Sequence, residues 1–315
     1  MCGLRRLILG VLFMGVLLCG LAGCGDSEDN LPPEEHAKAI LQEARENEPG
    51  YAQGIKIAKE LASLGEPAAP VLINALNDEV WRVRQISVEA LGRMGAEEAT
   101  EPLAQRLLEE PDERVRSVMP RALGNIGAPG AIDALIETMK DDPDEGVRQQ
   151  AAIALGEFSD QKVVDALLGV LETNDDAVMV EAMSSLSSIG DPAAVEPIIE
   201  KVSAGGKTRL GAIEALGILG DERAYDTLVQ SLQSGNPYVK SAAVTALGNL
   251  GDPRAVEHLA KLAQDPEASS NIRMSALRAL KKLGTDEAKE AIRACEQDEN
   301  DHLRRAAREA LADDQ

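Results

Sequence analysis

Aromatic residues are nearly missing from this chain. One Trp, three Tyr and two Phe make up 2% of its 315 residues, too few to build a stacking platform for sugars, bases or a flat cofactor. Positive charge is short as well: 32 Lys and Arg stand against 54 Asp and Glu, a net charge of −22. Phosphate binding needs a basic footprint, so this composition argues against nucleic acid and suits a solvated acidic surface. Histidine is limited to His36, His258 and His302, too scattered to form a metal or acid–base constellation, and neither a metal nor a cofactor is expected. There is no phosphate-binding loop. Gly205-Gly206-Lys207-Thr208 lacks the earlier glycine of such a loop and reads as a helix–helix turn.

The beginning of the chain reads as an address. Arg5 and Arg6 precede an apolar run from Leu7 to Leu18, and small residues lead to Leu21-Ala22-Gly23-Cys24. The run is shorter than the roughly 20 residues of a spanning helix and has the form of a signal peptide over residues 1–23. Leu21-Ala22-Gly23-Cys24 resembles the lipobox of bacterial lipoproteins, which implies that Cys24 is lipidated and becomes the mature N-terminus. Loss of the leader removes two of the 32 cations and none of the 54 acids, leaving −24. It also removes Cys2 and Cys19, so Cys295 is the remaining free thiol; no internal disulfide forms and burial must hold the fold. Cys295 reads as a small core residue rather than a nucleophile. Residues 24–33 are a polar tether ended by Pro32-Pro33. It spans about 30 Å when extended, which keeps the rest near a bilayer.

What is abundant is repetition. A leucine near the end of a helical stretch recurs at Leu61, Leu91, Leu123, Leu155, Leu186, Leu216, Leu247, Leu280 and Leu311, with steps of 30 to 33 residues, and glycine follows it at Gly92, Gly124, Gly156, Gly217 and Gly248. That length holds two short helices and two turns, so residues 34–315 read as an all-α solenoid of nine helix pairs. The first pair is irregular and the last carries Arg304, Arg305 and Arg308 on its outer side, as caps should. Asp-Pro at 191–192 and 252–253 offers an N-cap and a proline for the first helical turn.

Seven residues before the leucine stand Arg84, Arg116, Arg148, Met179, Arg209, Lys240, Arg273 and Arg304. Eleven before it, in the turn, lie Val80, Asp112, Asp144, Asp175, Gly205, Asn236, Ser269 and Asn300, with Asp78 and Asp142 close by. A row of cations could serve an anionic ligand. A repeated base beside a repeated acid is satisfied without one, and the preferred reading is a structural ladder.

Val115-Arg116, Val147-Arg148 and Val239-Lys240, followed by Ala-Leu-Gly and then by Gly-Asp-Pro at 190–192 and 251–253, resemble HEAT-like repeats of the phycobilisome-lyase type. The resemblance implies a superhelix whose second helices line the concave face. It carries over no catalytic residue, and an exported lipoprotein is a poor setting for bilin chemistry.

Departures from the repeat are informative. Met179 replaces a ladder base, Ser187 replaces the glycine after Leu186, and the following turn is Ala204-Gly205-Gly206. Both halves of one rung are therefore expected to be missing, which marks a soft joint between Ser184 and Gly206. On the expected concave face, Ile153, Val180, Leu210 and Ile218 form an apolar middle. Trp81, Arg82, Gln85, Arg93 and Arg121 lie toward one end, and Met274 and Arg278 toward the other. Two readings stand: a protein-binding groove, or aliphatic side chains covered by neighbouring helices.

The chain is thus expected to be a lipid-anchored scaffold or assembly factor in a bacterial envelope, on the periplasmic side, with Gly25 after Cys24 slightly favouring the outer membrane. Its stack should be roughly 80 Å long. The alternatives are a lyase-like or ligand-transfer enzyme and a structural spacer.

Overall fold

The computed structural model describes residues 31–47 and 49–312. The signal peptide, Cys24 and most of the tether lie outside the described residues. Among those described there are nineteen α-helices and no strand, and no helix is long and apolar enough to cross a membrane.

The helices form nine pairs. In order, these are α1 (Pro33–Asn47) with α2 (Tyr51–Ser63), α3 (Ala69–Ala75) with α4 (Trp81–Met94), and α5 (Thr100–Glu109) with the split helix α6 (Glu113–Arg116) and α7 (Met119–Ile126). Next come α8 (Ile132–Asp141) with α9 (Glu145–Leu155), α10 (Gln161–Val170) with α11 (Asp176–Ile189), and α12 (Val195–Ala204) with α13 (Arg209–Leu219). The last three are α14 (Tyr225–Ser231) with α15 (Pro237–Leu250), α16 (Ala255–Gln264) with α17 (Ser270–Leu283), and α18 (Asp286–Ala294) with α19 (Asp301–Ala312). Second helices stack on second helices, α4 on α7, α9, α11, α13, α15 and α17 in turn, and each also packs on its own first helix.

The recurring leucine organises this stack. From Leu61 to Leu280 every copy is fully buried, while Leu311, in the last described helix, is half-buried. Cys295 is also buried, its thiol directed at the Ala291 carbonyl. Burial pushes that thiol up, which suits a packing residue.

The glycine after the leucine sets how close the second helices come. A Cβ built on Gly92 would lie 2.6 Å from Ala122 Cα, and one on Gly248 would lie 2.9 Å from Ala279 Cα. Those distances leave no room for a side chain. At the end of α4, Gly95 has φ 67° and donates its backbone N–H to the Leu91 carbonyl, closing the helix in the left-handed conformation. Asp191 then accepts from Ala193 N at 2.8 Å, and Asp252 from Arg254 N at 2.8 Å, starting the following helices as expected.

One second helix is broken in a way the repeat pattern did not announce. Pro120 has no N–H to give to Arg116, and its ring crowds that carbonyl, so α6 ends and α7 begins across Ser117 and Val118.

Gly248→Val is predicted to lower stability by about 2 to 4 kcal/mol, because the valine must push α15 and α17 apart. Gly235→Ala, in a turn with open space around its Cα, serves as the control. A thermal midpoint for Gly248→Val equal to that of the control would contradict the close-approach account.

Candidate functional site

The described residues hold no group of three or more His, Cys, Asp or Glu placed to share a metal ion. Their polar order lies in the turns between first and second helices. Arg84 donates two bonds to Glu110, at 2.8 and 2.6 Å, and a third to the Asp78 carbonyl at 2.8 Å. Arg116 repeats this with Asp142 at 2.9 and 3.2 Å and with the Glu110 carbonyl at 3.1 Å. Arg148 does so with Asp175 at 2.7 and 3.0 Å and with the Asp142 carbonyl at 2.9 Å. Arg273 pairs with Asp298 and also donates to the Ala263 carbonyl at 2.9 Å. Each guanidinium therefore ties its own turn to the turn of the next repeat, 25 to 27 residues on.

The acids that receive these bonds are not all the expected ones. Glu110, Asp142 and Asp298 stand two residues before the turn position read from the repeat. That position is the helix N-cap: Asp112 accepts from Arg114 N at 3.0 Å and Asp144 from Val147 N at 2.9 Å. Asp175 does both jobs, capping Val178 N at 3.2 Å and accepting Arg148.

Three of the expected ladder residues do not make a rung. Arg209 makes no ion pair among the described residues, the next turn being Gln233-Ser234-Gly235-Asn236, and its Nε is buried without a hydrogen-bond partner there. Lys240 makes no hydrogen bond or ion pair among the described residues; an ammonium lacks the planar fork that lets arginine tie two turns at once. Arg304, in the last repeat, folds back onto Asp301 and the Asp298 carbonyl. Met179 is buried in the core and faces no acid. The gap in the ladder thus runs over three successive junctions, from α11 to α17, and is wider than the single rung expected from Met179 and Gly205.

The concave-face candidates divide in the same way. Gln85 is buried, with its amide donating to the Arg114 carbonyl at 3.0 Å and its oxygen accepting from Arg82 at 2.7 Å. It braces two repeats and lines no groove. Arg82 and Arg114 both stack on Trp81, at 4.0 and 3.6 Å from the ring centroid. Val180 is half-buried under Gly211, and Met274 packs against the core. Ile153 and Ile218, in contrast, are 42% and 59% exposed. Leu210 and Ile218 form a cleft of about 420 Å³ with Tyr238, Thr245 and Asn249. At the other end Arg93 and Arg121 line a smaller pocket, of about 180 Å³, between α4 and α7. Arg278 is exposed on α17.

Tyr238, 74% exposed, was missed because it lies in the first turn of α15, outside the three groove positions counted from the leucine. Its rarity was the available signal, in a chain with only six aromatics.

With this geometry in view, family models for HEAT repeats match residues 37–124, 98–156, 132–204, 203–270 and 226–312. The chain belongs to the HEAT repeat family. Among solved structures, Kap121p is similar in fold, with a TM-score of 0.56 at 14% identity over 90% of this chain and 38% of that one. The E. coli protein YibA gives 0.55 at 17% identity over 84% and 97%. The CpcE–CpcF complex of phycocyanin lyase from Nostoc sp. PCC7120 gives 0.45 at 23% identity over 71% and 92%, a score from which nothing further follows. No curated protein matches significantly. The HEAT family and the solenoid fold are those expected from the repeats.

The rungs carry a pH dependence. Burial pushes the Glu110 carboxyl up, but bonds from Arg84, the Asp112 N–H and Arg106 outweigh it and hold the group below the ordinary carboxylate range. Asp175 and Asp298 are lowered in the same balance, burial against their arginines and turn N–H groups. Stability from these groups is complete above their unfolded values of about 4 and is lost as pH falls through the lower folded values. Glu110→Gln is predicted to cost about 3 kcal/mol at pH 7, because it strands a buried guanidinium. It should also flatten the fall of the thermal midpoint between about pH 5 and 3 relative to the parent. Parallel curves for the two proteins would contradict the ladder.

Proposed function

We propose that this chain is a lipid-anchored, protein-binding scaffold or assembly factor of a bacterial envelope, which holds a segment of its partner along the concave face. The observation that carries the binding role is the pair Ile218 and Tyr238, 59% and 74% exposed side by side in the Leu210 cleft. The fold is consistent with this use. Kap121p, a structure similar to this chain, has been solved bound to Nup53p and to Ste12p.

The anchoring half rests on the signal-peptide pattern and on Cys24 in its lipobox-like setting. A lipid there would hold the solenoid close to a membrane surface, and the negative charge of the mature chain would keep its outer face solvated. The lyase-like or ligand-transfer alternative has no constellation to support it, since Cys295 is buried with its thiol pushed up. A spacer would have no use for an apolar cleft open to solvent.

Two outcomes are expected in cells. Cys24→Ser should lose fatty-acid label and leave the membrane fraction; retained label would contradict anchoring. Ile218→Glu combined with Tyr238→Glu changes only exposed side chains, so the melting midpoint should hold while at least one protein disappears from the in-cell crosslinked set. An unaltered set would place binding elsewhere.

A further inference from the structure

The face formed by the second helices carries two sites of opposite chemistry. The first lies where Gly92 brings α4 against α7 and Pro120 breaks the helix beside it. Arg93 and Arg121 both line this pocket. Arg121 is exposed and makes no ion pair among the described residues. Arg93 reaches only Glu89, at 3.8 Å, outside hydrogen-bond distance. The Glu89 side chain is 5% exposed, and its Oε2 has no partner of its own. Glu89 lines the same pocket, so two guanidiniums stand there against one carboxylate. Two guanidiniums with free donors on one small pocket fit a carboxylate, which accepts from both.

The second site is the cleft of Leu210, Ile218 and Tyr238 between α13 and α15. Glu214 lies in the same cleft, exposed and without a partner among the described residues. Its charge repels an acid there and favours an apolar side chain close to a neutral or basic one. The first site takes an acid and the second rejects one, which gives the concave face a direction.

The two sites are four repeat steps apart. At about 8 to 10 Å per step the separation is about 32 to 40 Å, which an extended chain crosses in about 10 to 12 residues. We propose that the occupant is an extended segment of a partner protein with an acidic residue in the Arg93–Arg121 pocket and an apolar residue in the Leu210–Ile218–Tyr238 cleft, about 11 residues apart. This rests on the concave face being the protein-binding face and adds the occupant's chemistry and spacing. The path between them crosses Ser184 and Ser188 of α11, both small and exposed, and so leaves room for a backbone.

The test uses fluorescein-labelled synthetic peptides on the purified full-length chain, read by anisotropy at low and high salt. One peptide carries an Asp and a Leu separated by 11 residues of a Ser/Thr spacer; the second separates them by 5; the third has Lys for Asp. The first should bind at least tenfold more tightly than the other two, and less tightly at high salt. Arg121→Glu should remove its advantage over the Lys peptide, and Ile218→Ser its advantage over the 5-residue spacing, with circular dichroism unchanged in both. Equal affinities, no binding by any peptide, or a preference that survives Arg121→Glu would each overturn the proposal. Loss of a crosslinked partner in the Ile218→Glu, Tyr238→Glu protein together with equal peptide affinities would keep the binding face and remove only the two-point register.

Discussion

The spacing between one second helix and the next governs everything else in this molecule. It is set twice, by different physics. Where glycine follows the leucine, the contact at the C-terminal end of the second helix is steric, as where Gly92 meets Ala122 and Gly248 meets Ala279 with no room for a Cβ. At the N-terminal end it is electrostatic, through a guanidinium that crosses from its own turn to a carboxylate of the next. In a stack where each repeat touches only its neighbours, such local spacings add up along the chain to give its curvature.

The second device is used unevenly. It joins the repeats from α4 to α11 and again the last pair, and is missing at the three junctions between α11 and α17. Glycine closes the α13–α15 and α15–α17 contacts, so the middle keeps its steric spacing while it lacks the electrostatic one. Ser187 takes the glycine's place at the end of α11, and its hydroxyl turns back to the Ser184 carbonyl. Ser185 bonds across to the Ala152 carbonyl at 2.8 Å, which ties α11 to the N-terminal half of the stack and leaves its other side freer. The exposed apolar cleft lies within the same stretch. The proposed binding surface therefore lies where the electrostatic spacing is missing.

The repeat itself was legible because each of its parts follows a local rule. The leucine falls on a buried stripe, the glycine permits close approach and Asp-Pro starts a helix. The ladder was legible in its bases and only partly in its acids. Asp112 and Asp144 satisfy the same sequence rule whether they take a guanidinium or cap a helix, and the choice depends on where Glu110 and Asp142 sit two residues earlier. Gln85 looked like groove lining because its position in the helix is right, but its amide found the Arg114 carbonyl of the next repeat. Val180 looked exposed until Gly211 let the next helix close over it. Such outcomes depend on contacts between repeats, which a pattern read one repeat at a time does not contain. Pro120 and Tyr238 departed from the repeat at positions outside those compared.

Hydrogen exchange of the intact chain, resolved to the turns, tests most directly the claim that the rungs hold the repeats in register. The turns at 205–208 and 233–236, which have no rung, should exchange about tenfold faster than those at 110–112, 142–144 and 173–175, a difference of about 1.4 kcal/mol in opening. Equal protection in the two sets would mean that the steric contacts alone hold the stack, and that the arginine ladder contributes no register.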